Sequence, residues 1–220
     1  MNKEQKAKEI VKVLKKLFPN PKTILNYSNP FELLVAVILS ARNTDKKVNE
    51  VTNKLFKKYK AIKDYTRLHL PSAKADGGQE NANLNELEKD LSSLGLFHQK
   101  AKYIQATAKI IIDKYKGQIP KTMEELTQLP GVGRKTANII LGNVHGIVEG
   151  IAVDTHVTRL SNLLGLTSNK NPEKIEQDLM KLLPKKEWFD FTNRIIDYGR
   201  AYCPAHCKHL NCPLRKYIKS

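Results

Sequence analysis

The 220-residue chain has no run of 18 or more apolar residues, and its first residues, Met1-Asn-Lys-Glu-Gln-Lys6, lead into a charged segment with no apolar stretch. These absences argue against a membrane-spanning helix and a secretory leader, so a cytoplasmic location is expected. Cysteine is scarce: three residues, all within 203–212. That is too few and too clustered for a disulfide framework and suits a reducing compartment. Acidic side chains are the minority, 22 Asp and Glu against 38 Lys and Arg, for a formal charge of +16. Such an excess favours a polyanionic partner, because cations that neutralise phosphates release counterions on binding; the bland alternative is a basic, solvated surface. No strand pattern, internal repeat or Ser/Gly-rich linker is found, which leaves an all-α chain long enough for one compact domain or two small lobes.

Helical periodicity carries most of the rest. Residues 3–18 put Ala7, Val11, Leu14 and Phe18 on one stripe, ended by Pro19 and Pro21. Asn29-Pro30-Phe-Glu32 reads as an N-cap followed by a first-position proline, opening the wholly apolar segment Leu33–Leu39 as a central helix. Val48, Val51, Leu55 and Tyr59 recur at helical spacing between Lys46, Lys47, Lys54, Lys57 and Lys58, giving a wet basic face. Residues 71–83 lack periodicity and read as a surface loop. Leu84, Leu87, Leu91 and Leu94 mark a helix with Gly95 as its expected C-cap. Further helices are expected over 99–115, 154–164, 172–183 and 187–200.

The stretch Leu129-Pro-Gly-Val-Gly-Arg-Lys-Thr-Ala137 organises the chain. Thr122-Met-Glu-Glu125 is a capping box that starts a short helix, Pro130 stops it, and a second helix starts near Arg134. Gly131 and Gly133 give the intervening turn backbone freedom and let its amides approach a ligand closely. The N–H groups and positive dipole end of the second helix then form an anion site, most simply for a phosphate.

The full string L-P-G-V-G-R-K-T-A resembles the helix-hairpin-helix of the DNA glycosylase superfamily. Val153-Asp154-Thr155-His156 resembles the aspartate that ends that superfamily's signature, and Leu39-Ser-Ala-Arg-Asn-Thr-Asp45 resembles a third family stretch. On these residues the chain resembles the endonuclease III family of base-excision repair. The resemblance implies two helical lobes, 28–147 as a six-helix lobe and 1–27 with 148–220 as the second, with a DNA-binding cleft between them. It also implies a monomeric enzyme acting on damaged double-stranded DNA, with the hairpin residues Gly131, Val132, Gly133, Arg134 and Thr136 gripping backbone phosphate.

The same resemblance makes Lys135 the Schiff-base nucleophile and Asp154 the carboxylate that assists it. Independently, a first-turn helix position beside Arg134 disfavours the lysine cation and so favours the neutral, nucleophilic amine. A lone lysine there also reads as a simple phosphate contact, and Asp154 as an ordinary N-cap. His156 reads as a structural helix residue. The family fills the gap left by a flipped base from the segment holding Arg42, where it commonly has glutamine, and with an apolar wedge matching Leu96; core packing is the alternative for Leu96. The implied activity is glycosylase plus abasic-site (AP) lyase on oxidised pyrimidines. The alternatives are a monofunctional mismatch or adenine glycosylase and a non-catalytic DNA-binding hairpin module.

The tail Cys203-Pro-Ala-His-Cys207-Lys-His209-Leu-Asn-Cys212 departs from the family's four-cysteine pattern for a 4Fe-4S cluster, having C-x3-C-x4-C and no fourth cysteine. Three readings stand: loss of the cluster with packing in its place, an unusual cluster completed by histidine, or zinc on the three cysteines and His209. Loss is the preferred reading, and no cofactor is required for the Lys135 and Asp154 chemistry.

Overall fold

Short polar side chains start most of the helices. Asn2 caps α1 (Lys3–Leu17), Asn29 caps α2 (Pro30–Ser40) and Thr44 caps α3 (Asp45–Lys58), each by accepting an N–H from the first turn. In this computed structural model, which describes residues 2–66, 78–208 and 211–218 with the backbone alone at 78–82, all regular elements are helical and no strand occurs among the described residues. The remaining α-helices are α4 (Gly78–Leu91), α5 (Phe97–Tyr115), α6 (Met123–Thr127), α7 (Arg134–Ile140), α8 (Thr155–Leu163), α9 (Pro172–Leu182) and α10 (Lys185–Ala201). Thr122, Asp154 and Asn171 cap α6, α8 and α9. The helices without a side-chain cap include α5, which follows Leu96, and α7, which follows Gly133.

The chain divides into one unit of Met1–Thr23 with Gly146–Ser220 and another of Ile24–His145. The second holds α2 to α7. Its centre is α2, buried from Phe31 through Leu39, with α3, α5 and α7 packed on it. A helix apolar all round is stable only when neighbours cover every face. Tyr65, in a 3-10 turn at Ile62–Tyr65, stacks on Tyr59 at 4.9 Å and meets the Phe31 ring edge-on at 5.2 Å. A π-helical turn, Leu141–His145, continues α7, and His145 Nε2 lies 3.0 Å from the Pro120 carbonyl.

Two expectations are corrected in this unit. Helix α4 starts at Gly78, inside the segment read as a loop over 71–83; residues 71–77 lie outside the described residues. Helix α4 also ends at Leu91, and the left-handed residue before α5 is Leu96, with φ 61°, not Gly95. The leucine spacing continues through Leu94 because that side chain still packs inward after the helix has ended.

In the other unit, Ile10 and Leu14 of α1 share a core with Val157, Leu160, Ile175, Leu179, Phe191 and Ile195. Arg194 is buried there, pairing with Glu187 at 3.3 Å and Asp190 at 2.9 Å and donating to the Phe18 carbonyl at 3.1 Å. Lys15 reaches the same Glu187 at 2.5 Å. This network ties the N-terminal helix to α10 across nearly the whole sequence.

Candidate DNA interface and catalytic residues

The hairpin between α6 and α7 is built on local bonds. The Thr122 hydroxyl accepts the Glu125 N–H at 3.2 Å, and the Glu125 carboxylate accepts from that hydroxyl rather than from the Thr122 backbone. At the far end of α6, the Leu129 N–H donates to the Leu126 carbonyl and the Val132 N–H to the Leu129 carbonyl, both at 3.1 Å. The turn rests on α5: the Thr107 hydroxyl donates to the Pro130 carbonyl at 3.0 Å, and a Cβ on Gly131 would lie 2.7 Å from the Tyr103 ring. Gly131 has φ +78°, so glycine is needed there for both conformation and space. Tyr103 and Thr107 lie one helical turn apart and so share a face of α5, but no local pattern in the sequence assigns that face to the turn.

Gly133 serves a different end. A Cβ there would meet nothing within 4 Å, and as N-cap it offers no side chain to the first-turn amides of α7. Those donors and the helix dipole face an open approach, which is the geometry of an anion site. Arg134 occupies the first helical position and is exposed; Lys135 occupies the second and is half-buried. Val132 and Thr136 are largely buried, and the Val132 N–H is engaged within the turn. Val132 thus anchors the hairpin from inside, and the Thr136 side chain is buried at the start of α7.

Asp154 belongs to the other unit. It is partly exposed, in extended conformation, and its Oδ1 accepts the Val157 N–H at 2.8 Å, so the N-cap reading holds while the second carboxylate oxygen retains acceptor capacity. His156 packs toward α10, where a Cβ on Gly199 would lie 2.7 Å from its Nδ1.

Arg42 and Leu96 sit at the tips of two neighbouring loops. Arg42 is exposed with φ 57°, and Leu96 is 54% exposed with φ 61°. Core packing is thereby excluded for Leu96. Each left-handed non-glycine residue costs on the order of 1–2 kcal/mol, and such strain is held only where the surroundings enforce it.

In the tail, the sulfurs of Cys203, Cys207 and Cys212 all lie within 4.8 Å of one another. Cys203 and Cys212 are buried in the core of their unit, and burial, helped by the hydrogen bond with Cys207, pushes the Cys212 thiol up to about 12. His209 lies outside the described residues. The family's 4Fe-4S cluster takes four cysteine thiolates, and the three thiols here, two of them in sulfur contact at 3.3 Å, fall one short of that ligand set. These residues do not fit that cluster.

The family model described as "HhH-GPD superfamily base excision DNA repair protein" matches residues 35–185. Endonuclease III of Synechocystis is 46% identical over 204 residues, covering 93% of this chain and 87% of that protein. Two solved structures, a non-covalent endonuclease III–DNA complex and a trapped endonuclease III–DNA covalent intermediate, each share 40% identity with a TM-score of 0.88 and cover the whole of this chain and 96% and 97% of theirs. These likenesses establish that the chain belongs to the endonuclease III family of HhH-GPD base-excision DNA repair proteins.

Proposed function

We propose that this chain excises oxidised pyrimidines from duplex DNA and cuts the strand 3′ to the resulting abasic site by β-elimination. Its class, a DNA glycosylase with AP lyase activity, follows from the family. In this reading the neutral Lys135 amine attacks the anomeric carbon. The damaged base leaves with the bonding electrons and takes up a proton. The bound amine loses a proton and its lone pair expels the ring oxygen, which takes up a proton as the sugar opens to the imine. The imine acidifies the adjacent sugar carbon, and loss of a proton there expels the 3′ phosphate. Asp154 stabilises positive charge on the sugar and assists the proton transfers. The first-turn amides of α7 hold a backbone phosphate, while Leu96 enters the duplex and Arg42 meets the orphan base. The observation that carries the reading is Lys135 at the second position of a helix whose N-cap leaves its amides uncovered.

Borohydride trapping tests it on duplexes carrying one thymine glycol or one abasic site. Wild type should be trapped on both and Lys135→Ala on neither. Trapping of wild type on the abasic site alone would keep the lyase and reassign the base, and trapping of the mutant at the wild-type rate would remove Lys135 from the mechanism.

The proposed working form is a cytoplasmic monomer that needs no resident cofactor for catalysis. Packing of Cys203 and Cys212 in the core supports loss of the family's cluster over its survival. Metal analysis of purified protein should find neither iron nor zinc in stoichiometric amount. One zinc per chain would turn the thiol triad into a metal site, and about four irons with a visible charge-transfer band would restore the cluster.

A further inference from the structure

Arg42 and Leu96 are far apart in sequence, and both are strained and solvent-facing, which raises the question of what holds them. Two side chains do. Asn43, next to Arg42, donates through Nδ2 to the Leu39 carbonyl at 2.8 Å and the Ala41 carbonyl at 3.2 Å. Its Oδ1 accepts the N–H of Gly95, next to Leu96, at 2.9 Å. Lys100 crosses in the other direction: its backbone N–H donates to the Leu96 carbonyl at 3.0 Å, and its Nζ donates to the Leu39 and Ala41 carbonyls at 2.9 and 2.6 Å. The same two carbonyls at the end of α2 thus receive both donors, and each donor also grips the other loop. Lys100 is 3% exposed, and the helix C-terminal carbonyls around its ammonium compensate the burial.

We propose that Asn43 and Lys100 join the two loops into one rigid two-pronged unit, and that Asn43 is the positioning residue that keeps Leu96 in register with Arg42. The proposal rests on the reading of Arg42 and Leu96 as duplex-intruding prongs. Asn43 touches neither DNA nor the reacting sugar in this scheme; it acts through the Gly95 N–H, fixing the left-handed turn at Leu96 before DNA arrives. Without it the wedge samples other conformations and the enzyme must order it during base flipping, an entropic cost that appears in the rate of excision. Lys100, buried and shared with the core, stabilises the same geometry from beneath, so Asn43 is the member that can be changed without opening the fold.

The experiment compares Asn43→Ala, Leu96→Ala and the double variant in single-turnover excision of a thymine glycol, in a fully paired duplex and in a duplex whose lesion sits in a pre-opened bubble. Thermal unfolding is measured alongside. The expected result is a roughly tenfold loss for Asn43→Ala on paired DNA, the scale of a coupled-residue effect. On the bubble the loss should be much smaller, the unfolding midpoint should not change, and Asn43→Ala should add nothing in the Leu96→Ala background. Equal losses on paired and bubble DNA, or additive losses in the double variant, would overturn the coupling. If Leu96→Ala is itself silent on paired DNA, the prong reading fails and the coupling falls with it, an outcome told apart by the single variant alone.

Discussion

At the scale of single residues, the hairpin separates two glycines that the sequence presents as equivalent. Gly131 needs its φ of +78° and has the Tyr103 ring where a side chain would go, whereas Gly133 adopts an ordinary φ of −94° beside open space. Gly131→Ala should therefore destabilise the protein by about 2 kcal/mol, from left-handed strain and overpacking together. Gly133→Ala should change unfolding free energy by less than about 0.5 kcal/mol yet weaken duplex binding roughly tenfold, because its methyl group intrudes where a phosphate approaches the amides. Urea denaturation and fluorescence anisotropy on a short duplex measure the two effects. Equal losses of stability in both variants would contradict the division of labour. The glycines themselves were legible in the sequence. Their different duties were not, because Tyr103 lies about 28 positions away and nothing in local spacing aims its ring at the turn.

Element boundaries show the same limit at the next scale. Caps were legible at Asn29, Thr122 and Asp154, where a short polar residue precedes a helical segment and the bonds involved span only three residues. The end of α4 was not legible, because its leucine stripe runs on through Leu94 and a glycine follows; the strained conformation falls one residue later, on Leu96, held there by contacts from another loop. Asp154 gives the sharpest test of an element against its chemistry. Asp154→Asn keeps an oxygen for the Val157 N–H and removes the charge; Asp154→Ala removes both. Thermal unfolding should be nearly unchanged for the asparagine variant and lowered by about 1 kcal/mol for the alanine variant, the usual worth of an N-cap. Single-turnover excision should fall in both by 10²-fold or more, the range for a lost acid–base or electrostatic group. Retention of activity in Asp154→Asn would leave Asp154 a cap only.

For the whole molecule, charge was readable at once and its placement was not. The formal +16 counts every lysine alike, but Lys58 on α3 is engaged by Glu86 at 2.8 Å and Asp90 at 2.6 Å within its own unit, and Lys47 lies 3.5 Å from Glu50. Nor could periodicity reveal that α1 shares a core with α8, α9 and α10, because the Lys15 and Arg194 contacts that bind it there connect residues more than 170 positions apart. The consequence for binding is specific. Each phosphate neutralised by a cation steepens the salt dependence, and about six such contacts would lower duplex affinity on the order of 10³-fold between 50 and 200 mM salt. A cation already neutralised within the protein releases little, and a backbone amide carries no net charge to release any. Lys58→Ala should therefore leave the slope of log affinity against log salt unchanged. Gly133→Ala should lower affinity by the same factor at every salt concentration, displacing the line without tilting it. Excision at saturating enzyme should stay nearly constant across the series, since Lys135 and Asp154 act after the duplex is bound. A flat salt response in the wild type would mean that the basic excess is not directed at DNA, and a slope altered by Gly133→Ala would mean that the hairpin positions cations as well as amides.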